Sequence, residues 1–417
     1  MIFVAINYRL GAFGWLAGTS LEADGTANAG LYDQALAFRW VRDHIHLFGG
    51  DASRITAIGK SSGAGSLMHQ VTSFGGDTST ADHIPAFQHA IITSPAFLPQ
   101  ANASRSEQTL QQFLALLNVT TLAAARTLPT EALIRANALQ IYASTYGSNS
   151  FGPAVDTAIA PALPGQLLLE GRFHRNLTLA VSHNANEALT FTDPRINSTT
   201  SYAAFLHAAF PDISAAAAAH VEDALYPPVF DGSRGYATGF QRAVRTVADA
   251  AFACNAFYLA SAFANASYAW EFAVPPGIHG QDTSYIFPAA TGGSGALLGL
   301  NRTVAVALRE YIASFAAGGV PVAAGGVEIP VYGAGNRIVN LTDAGIGVVR
   351  DDTANERCVW WQKGEYVGTV VGGGPNVSSS NGTSGGSGSD HASGSEKTRP
   401  WQVVIAILVV IPLGLIW

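Results

Sequence analysis

Residues 59–63, Gly-Lys-Ser-Ser-Gly, have the Gly-x-Ser-x-Gly form of a nucleophile elbow. In such an elbow a very tight turn between a strand and a helix holds the serine in a strained conformation. Glycines such as Gly59 and Gly63 let neighbouring backbone approach without a Cβ clash. Residues 382–386 have the same form, so the motif alone does not distinguish a catalytic serine from an ordinary turn. Only Ser61 follows a strand-like run and precedes a helix-like one, and it is therefore the candidate nucleophile.

A serine hydroxyl is a weak nucleophile unless a base takes its proton and a carboxylate orients that base. Among the 11 histidines, His279 stands in a loop directly after a predicted strand, and Glu187 follows another predicted strand. The carboxyl ends of strands are where an α/β sheet carries its catalytic groups. The chain order Ser61, Glu187, His279 is the order nucleophile, acid, base of the α/β-hydrolases. The sequence therefore predicts these three residues as a catalytic triad.

The segments around these residues alternate between strand and helix patterns. Apolar positions from residue 31 to 48 recur every three or four residues, which predicts one face of an amphipathic helix. A second helical stretch follows Ser61 and extends to about residue 74. Strands in succession with helices predict a parallel sheet. The predicted strands are residues 1–7, 54–58, 89–93, 177–181 and 268–273.

The rest of the chain consists of segments that differ in amino-acid composition. Residues 104–250 are rich in alanine and helix formers, and they predict a helical cap or insert within a domain that spans residues 1–371. Residues 372–400 are mostly Gly, Ser, Asn and Thr, and they predict a flexible linker. Residues 401–417 are apolar apart from Gln402. Such a tail behind a polar spacer predicts a GPI-attachment signal, with a retained transmembrane anchor as the alternative. Either one tethers the protein to a membrane.

The net charge and the glycosylation sequons indicate which partners and which cellular compartment the sequence favours. The formal net charge is −7 and only three lysines occur, so no basic patch for phosphates is predicted and nucleic acid is a poor candidate partner. Half of the 18 asparagines stand in Asn-x-Ser/Thr, which predicts passage through the secretory pathway. The predicted glycosylation sites are Asn102, Asn118, Asn176, Asn197, Asn265, Asn301, Asn340, Asn376 and Asn381.

The chain contains two cysteines, Cys254 and Cys358. In an oxidising compartment they are expected to form one disulfide, although two buried thiols are also compatible with the sequence. The pair His44 and His46 lies on the predicted amphipathic helix and is interpreted as two surface residues, not as metal ligands. No metal site is predicted.

Several segments, in order along the chain, resemble the type-B carboxylesterases, the family that includes the cholinesterases and fungal lipases. The resemblance extends from residue 1 to about residue 371 and includes the elbow around Ser61, the segment around Glu187 and the loop around His279. The other matching segments are residues 7–16 (Asn-Tyr-Arg-Leu-Gly-Ala-Phe-Gly-Trp-Leu), 28–34, 38–41, 48–51, 153–156 and 357–361.

This resemblance implies an α/β-hydrolase fold, a mostly parallel central sheet with helices on both faces, here without its N-terminal strands. It implies that Ser61 is the nucleophile, His279 the general base and then acid, and Glu187 the orienting carboxylate. The backbone N–H of Ser62 is the implied oxyanion donor. The substrate is then a small-molecule or lipid carboxylic ester, cleaved through an acyl-serine intermediate without a metal or organic cofactor.

The resemblance also implies that the cysteine of residues 357–361, Cys358, pairs with Cys254. One departure from the family is at its start. The other oxyanion donors of the family come from a glycine-rich loop upstream of the segment at residues 7–16, and no such loop precedes Met1. We therefore expect the chain as written to be poorly folded or inactive, and a longer form to exist.

A second departure is Lys60, at a position where active members of the family usually have glutamate. A cation beside the triad either attracts anionic substrates or, alternatively, turns towards solvent or pairs with a nearby carboxylate. Two other functions remain open beside the esterase. Some relatives in the family are adhesion proteins that keep the fold and lose the serine, and the chain is alternatively a catalytically impaired fragment.

Overall fold

An eight-stranded sheet forms the centre of the protein. The computed structural model describes residues 1–147, 149–287 and 300–367, together with the backbone of residues 404–409. The strand order is β1-β8-β2-β3-β4-β5-β6-β7. All neighbouring strands are parallel except β6 and β7, which form an antiparallel hairpin. The strands are β1 (Ile2–Ala5), β2 (Ile55–Lys60), β3 (His89–Thr93), β4 (Thr178–Asn184), β5 (Ser267–Phe272), β6 (Arg337–Leu341), β7 (Ile346–Arg350) and β8 (Val404–Val409).

Helices cover both faces of this sheet, as expected for the predicted fold class. Alternate residues of one strand contribute to different cores, because successive side chains of a strand point to opposite faces. In β3, Ala90 and Ile92 pack in one core with the helices that contain Phe38, Leu67 and Leu259, whereas Ile91 packs against the helix that contains Leu308. The helices are α1 (Gly11–Trp15), α2 (Thr19–Glu22), α3 (Ala29–His44), α4 (Ser62–Val71), α5 (Ala103–Leu116), α6 (Leu122–Arg126), α7 (Thr130–Tyr142), α8 (Pro164–Leu169), α9 (Thr199–Ala209), α10 (Ala215–Ala219), α11 (Gly239–Ala248), α12 (Cys254–Ala262), α13 (Gln281–Ile286), α14 (Arg302–Gly318) and α15 (Glu356–Lys363).

The strands β2 to β5 lie side by side in the order of the chain. Because they are parallel, their carboxyl ends meet at one edge of the sheet. This edge receives Ser61 after β2, Ser94 after β3, Glu187 after β4 and His279 after β5. Residues far apart in sequence are therefore assembled by strand order alone.

Most of the predicted elements have a counterpart in the structure. The strand predicted at residues 89–93 is β3, and the predicted strand at 177–181 is β4, which continues three residues further to Asn184. The helical stretch at 104–250 is interrupted by β4, so it consists of helices on either side of a central strand. The hairpin of β6 and β7 was not predicted, because β7 lies at the sheet edge, is only partly buried and has no long apolar run.

Beyond residue 367, the structure describes only residues 404–409. Val404–Val409 form β8, which pairs in parallel with both β1 and β2. The predicted linker and the remainder of the predicted tail lie outside the described residues. Within the ranges that the structure describes, no helix has the length and hydropathy needed to cross a bilayer.

A disulfide joins Cys254, at the start of α12, to Cys358 in α15, as predicted. The two residues are separated by 104 positions in the sequence. Closing a loop of that length in the unfolded chain stabilises the fold by about 4.7 kcal/mol in the chain-entropy treatment. The bond fixes the helical layer that packs behind β4 and β5.

Candidate active site

Ser61 occupies the sharp turn between β2 and α4. Its backbone has φ +59° and ψ −125°, a conformation that a non-glycine residue adopts only when the surrounding structure imposes it. A Cβ on Gly59 would lie 2.6 Å from the carbonyl oxygen of Gly63, so this close approach requires glycine. The Ser61 N–H donates to the carbonyl of Thr93 at 3.0 Å, which fastens the turn to β3. The motif at residues 59–63 is therefore a strained elbow that presents a partly exposed hydroxyl.

His279 connects Ser61 to Glu187. Its Nε2 lies 2.8 Å from Ser61 Oγ, and its Nδ1 lies 2.5 Å from Glu187 Oε2. These partners fit the tautomer in which Nδ1–H donates to the carboxylate and Nε2 accepts from the serine hydroxyl. The structure therefore brings together the three residues that were predicted as a triad, although 218 positions separate Ser61 from His279.

The Glu187 carboxylate is buried, with 1% of its side chain exposed. Its Oε1 accepts a hydrogen bond of 2.6 Å from the backbone N–H of Asn184, where β4 ends. Burial by itself raises the pKa of Glu187, but the charge and hydrogen bond of His279, the charge of Lys60 and a hydrogen bond from Ser94 outweigh it and lower the pKa to about 2. Glu187 is consequently an ionised acceptor at neutral pH.

Ser62 begins α4, a helix of ten residues. The first N–H groups of a helix have no intrahelical acceptor and lie at the positive end of its dipole. The backbone N–H of Ser62 thus lies beside Ser61 with the polarity that a developing oxyanion requires.

Two aromatic rings pack against the imidazole of His279. The ring centroids of Phe191 and Phe252 lie 5.2 Å and 4.9 Å from the imidazole centroid. Phe191 also lines an apolar cleft next to the site. The cleft is lined further by Leu98, Ile196, Phe205, Phe210, Val247 and Ala250. Phe191 and Phe252 therefore shield one side of the base from water, and the cleft provides an apolar surface for a ligand.

Lys60, the unusual residue of the elbow, pairs with a carboxylate. Its Nζ lies 2.7 Å from Asp282 Oδ1, and only 13% of its side chain is exposed. Of the alternatives considered for this position, the one in which Lys60 pairs with a neighbouring carboxylate is found in the structure. The sequence reasoning did not single out Asp282, yet its position three residues after His279, at the start of α13, was an available signal.

Among the described residues, two groups of side chains have a spacing suited to a metal ion. One contains both cysteines of the disulfide, which have no thiolate to offer. The other consists of His183, Asp351 and Asp352. Asp351 already accepts a hydrogen bond from Tyr332, and Asp352 pairs with Arg245 at 3.2 Å. With these oxygens occupied, neither group makes a convincing metal centre.

The predicted glycosylation sites differ in exposure. Four are exposed: Asn118, Asn176, Asn197 and Asn265. Asn102 and Asn301 are partly exposed and cap helices, and Asn340 lies in β6 with its side-chain oxygen buried. Asn376 and Asn381 lie outside the described residues. The four exposed asparagines have the space that a glycan requires.

Comparison with known proteins gives concordant results. The sequence profile of the "Carboxylesterase family" matches residues 1–361. The chain is similar to the carboxylesterase patB of Penicillium expansum, with 37% identity over 368 residues, and to a secreted lipase of Arthroderma benhamiae, with 30% identity over 286 residues. These alignments include 88% and 67% of this chain, and 64% and 53% of the respective relatives. The chain thus spans about two thirds or less of the length of these relatives.

Among solved structures, the fold resembles the crystal structure of EstA from Aspergillus niger, with a TM-score of 0.74 and 23% sequence identity. The match covers 85% of this chain and 72% of the EstA chain, and at this identity it supports the α/β-hydrolase fold alone. The profile match is more specific, because it extends over most of the chain and includes the elbow at Ser61, Glu187 and His279. The chain belongs to the carboxylesterase family.

Proposed function

We propose that the protein hydrolyses carboxylic esters through an acyl intermediate on Ser61. The observation that carries this proposal is the unbroken set of short contacts from Glu187 through His279 to Ser61. A hydroxyl in this arrangement loses its proton to the imidazole as it attacks a carbonyl carbon. Its strained backbone holds the hydroxyl in place before the substrate binds.

In the acylation step, Ser61 Oγ forms a bond to the ester carbonyl carbon while its proton passes to His279 Nε2. The negative charge that develops on the carbonyl oxygen is stabilised by the N–H of Ser62. Glu187 stays ionised and stabilises the imidazolium that forms. His279 then gives the proton to the leaving alcohol oxygen as the ester C–O bond breaks.

In the deacylation step, water takes the place of the alcohol. His279 accepts a proton from the water as its oxygen attacks the acyl-Ser61 carbonyl, and the proton is then returned to Ser61 Oγ when the acid is released. Each step moves a proton or an acyl group between these side chains, the substrate and water, so this mechanism requires no metal or organic cofactor.

The apolar cleft beside His279 supports a substrate with an apolar acyl or alcohol part. Phe191 links the cleft to the base, and the side chains that line it beyond Phe191 include Phe205, Phe210 and Ile196. Such a surface favours alkyl or aryl groups over charged ones. We therefore expect small apolar esters or lipid esters as substrates.

Ester hydrolysis and covalent labelling test this proposal together. The chain is expected to release nitrophenolate from 4-nitrophenyl butyrate and to be modified at Ser61 by a serine-directed organophosphate. The substitution Ser61→Ala should abolish labelling and lower kcat by more than about 10³-fold. Ser384→Ala, which changes the other Gly-x-Ser-x-Gly copy, is the matched control and should leave both signals unchanged. Labelling of a serine other than Ser61 would contradict the proposal.

The alternative of a binding or adhesion protein is less well supported. The relatives considered for that alternative have lost the nucleophilic serine, whereas here Ser61 is present and hydrogen-bonded to His279. The other alternative, a catalytically impaired fragment, gives the opposite result in the same assay, so robust turnover by the 417-residue chain contradicts that alternative.

The proposed compartment is the secretory pathway, with the protein released or held outside the cell. The exposed sequons and the disulfide support it, as does the similarity to a protein named as a secreted lipase. A shift in mass after endoglycosidase treatment tests it.

Membrane tethering through residues 401–417 remains a prediction. The pairing of β8 with β1 and β2 competes with it, because the same residues cannot lie in the sheet and in a bilayer. Release by phospholipase C tests the GPI form.

A further inference from the structure

A buried ion pair lies directly behind the nucleophile. Lys60 is the last residue of β2, and its Nζ lies 2.7 Å and 2.9 Å from the two carboxylate oxygens of Asp282. The Asp282 side chain is only 1% exposed. Two charges buried to this extent interact strongly. Removing either one leaves the other buried without a partner, which strongly destabilises the folded state. The pair therefore constrains the two segments that carry it, the elbow and the start of α13.

One branch from this pair leads to the triad acid. The Lys60 ammonium donates a hydrogen bond of 2.6 Å to Ser94 Oγ. The Ser94 hydroxyl in turn hydrogen-bonds to the Glu187 carboxylate. Ser94 is fully buried and its backbone φ is +51°, so its side chain is held in one place. A cation, a hydroxyl and a carboxylate thus form a continuous polar chain across the ends of β2, β3 and β4.

The second branch leads to the loop of the base. Asp282 Oδ1 accepts a hydrogen bond of 3.2 Å from the Asn184 amide, which also donates to the Ile278 carbonyl at 2.7 Å. Ile278 directly precedes His279, and the backbone N–H of Asn184 binds Glu187. The loop that carries the imidazole is therefore fastened to the end of β4 through Asn184, which also binds the ion pair at Asp282.

We propose that Lys60 is a positioning residue of this site: through Asp282 and Ser94 it holds the His279 loop and the Glu187 carboxylate in register with Ser61. This inference rests on the proposed ester hydrolysis, and it adds a residue that differs from the usual glutamate of the family. Lys60 itself does not contact Oγ of Ser61 or the bound ester in this role. It acts through the groups that do.

The charge balance of the site explains why a cation is needed here. Glu187 and Asp282 are two buried carboxylates, and like charges in one low-dielectric region disfavour joint ionisation. The titratable groups that act on Glu187 are His279 after β5, Lys60 at the end of β2 and His183 near the end of β4, and Asp282 lies next to Lys60. Lys60 carries the positive charge next to both carboxylates, and its charge contributes to keeping the pKa of Glu187 low against the effect of burial.

The same contacts argue against a role in attracting anionic substrates. The Lys60 ammonium is committed to Asp282 and Ser94, and the adjacent carboxylate neutralises its charge. The chain offers a contrast in Lys363, which is half exposed and lies 3.9 Å from Glu365. Lys363 is free to reorient towards solvent, so its substitution provides the matched control.

The experiment compares four variants of the full chain: Lys60→Met, Lys60→Arg, the double variant Lys60→Met with Asp282→Asn, and Lys363→Met. The measurements are kcat and KM for 4-nitrophenyl butyrate from pH 5 to 9 and the thermal midpoint. The far-downfield NMR resonance of His279 Nδ1–H reports the Glu187 contact without requiring turnover. Lys60→Met should lower kcat on the order of 10²-fold, as expected when catalytic groups are misplaced, with little change in KM.

In Lys60→Met the acid limb of the kcat profile should also move to higher pH and the Nδ1–H resonance should weaken, because the pKa of Glu187 rises when the charge of Lys60 is removed. The double variant removes both charges, so its kcat should be at least tenfold higher than that of Lys60→Met. Lys60→Arg should retain most of the parental kcat. Lys363→Met should match the parent chain in every measurement.

A Lys60→Met chain with parental kcat, pH profile and Nδ1–H resonance would overturn the inference. So would a Lys60→Met chain whose only change is a raised KM, since this outcome assigns Lys60 to substrate binding. If Lys60→Met does not fold, the neutral double variant and Lys60→Arg are compared instead. An equal loss of kcat in these two variants contradicts a positioning role for the charge. Failure of the proposed function is distinct, because the parent chain would then lack both turnover and labelling at Ser61.

Discussion

Two buried carboxylates of this protein have similar burial and different surroundings. Asp249, behind the sheet, is 1% exposed and lies 2.7 Å from Arg357 and 3.2 Å from Arg245. Glu187, at the carboxyl edge of the sheet, is also 1% exposed, but its hydrogen-bonded partner in the triad is His279. An arginine is always charged, whereas an imidazole gains and loses a proton near neutral pH.

This difference separates a structural network from a candidate catalytic one. The network of Asp249 includes the Tyr226 hydroxyl at 2.8 Å and, through it, the indole N–H of Trp361, next to the disulfide. Its partners are permanent cations and packed rings, so its arrangement has one stable state. The network of Glu187 ends at a strained, partly exposed serine. Burial of a carboxylate therefore does not identify a site, whereas the chemistry of its partner does.

The largest expected effect comes from changing the acid at the carboxyl edge. Glu187→Gln keeps the shape of the side chain but removes its charge, so His279 loses its preferred tautomer and orientation. We expect kcat to fall by about 10⁴-fold, as for other triads that lose the acid, with a smaller change in thermal midpoint. Steady-state kinetics with 4-nitrophenyl butyrate measures it. Asp249→Asn is the matched control in the structural network and should leave kcat per folded molecule unchanged, and a comparable loss of kcat there would erase the distinction.

The next effect is on stability alone. Arg357→Met removes one of the two cations beside Asp249 and leaves a buried carboxylate undercompensated. We expect the free energy of unfolding to fall by about 3 kcal/mol, with kcat of the folded fraction preserved. Urea unfolding followed by fluorescence measures the change. Arg172→Met breaks a half-exposed pair with Glu170 and should cost under about 1 kcal/mol. A change in kcat caused by Arg357→Met would show that the two networks are coupled.

The third effect, which is small over any single pH step, is the pH dependence that Glu187 contributes to stability. Its pKa in the folded chain, about 2, lies below the ordinary value of 4.5. Its ionised form therefore stabilises the fold above about pH 4.5, and this contribution is lost as the pH falls through about 2. Unfolding curves between these values should show an extra slope of at most about 1.4 kcal/mol per pH unit in the parent chain, compared with Glu187→Gln. Identical slopes in the two chains would mean that Glu187 titrates normally.

The sequence predicted the parts of the site that depend on local pattern. The elbow at residues 59–63 requires glycines on both sides of a serine, and this pattern can be read directly from five residues. The strand β3 was predicted at its observed residues because both of its faces are buried and its run is apolar. The order of Ser61, Glu187 and His279 was also readable, since each follows a strand.

Other features depend on distant residues and had no local signal. The hairpin of β6 and β7 lies at the edge of the sheet with mixed burial, so its periodicity is weak. The apolar tail predicts a membrane tether, which stays a prediction. Its residues 404–409 pair with the edge strand β1 and with β2, because an apolar run of that length is compatible with a buried strand as well.

The sequence by itself determined the candidate catalytic residues, the family and the parallel α/β architecture, because local spacing and strand–helix alternation are properties of short segments. Only the tertiary structure decided that Lys60 is paired with Asp282, that Ser94 and Asn184 support Glu187, and that Asp249 is structural. A lysine next to a catalytic serine has the same local sequence whether it faces solvent, substrate or a carboxylate. Its partner is 222 positions away, and only the order of the strands brings the two charges together.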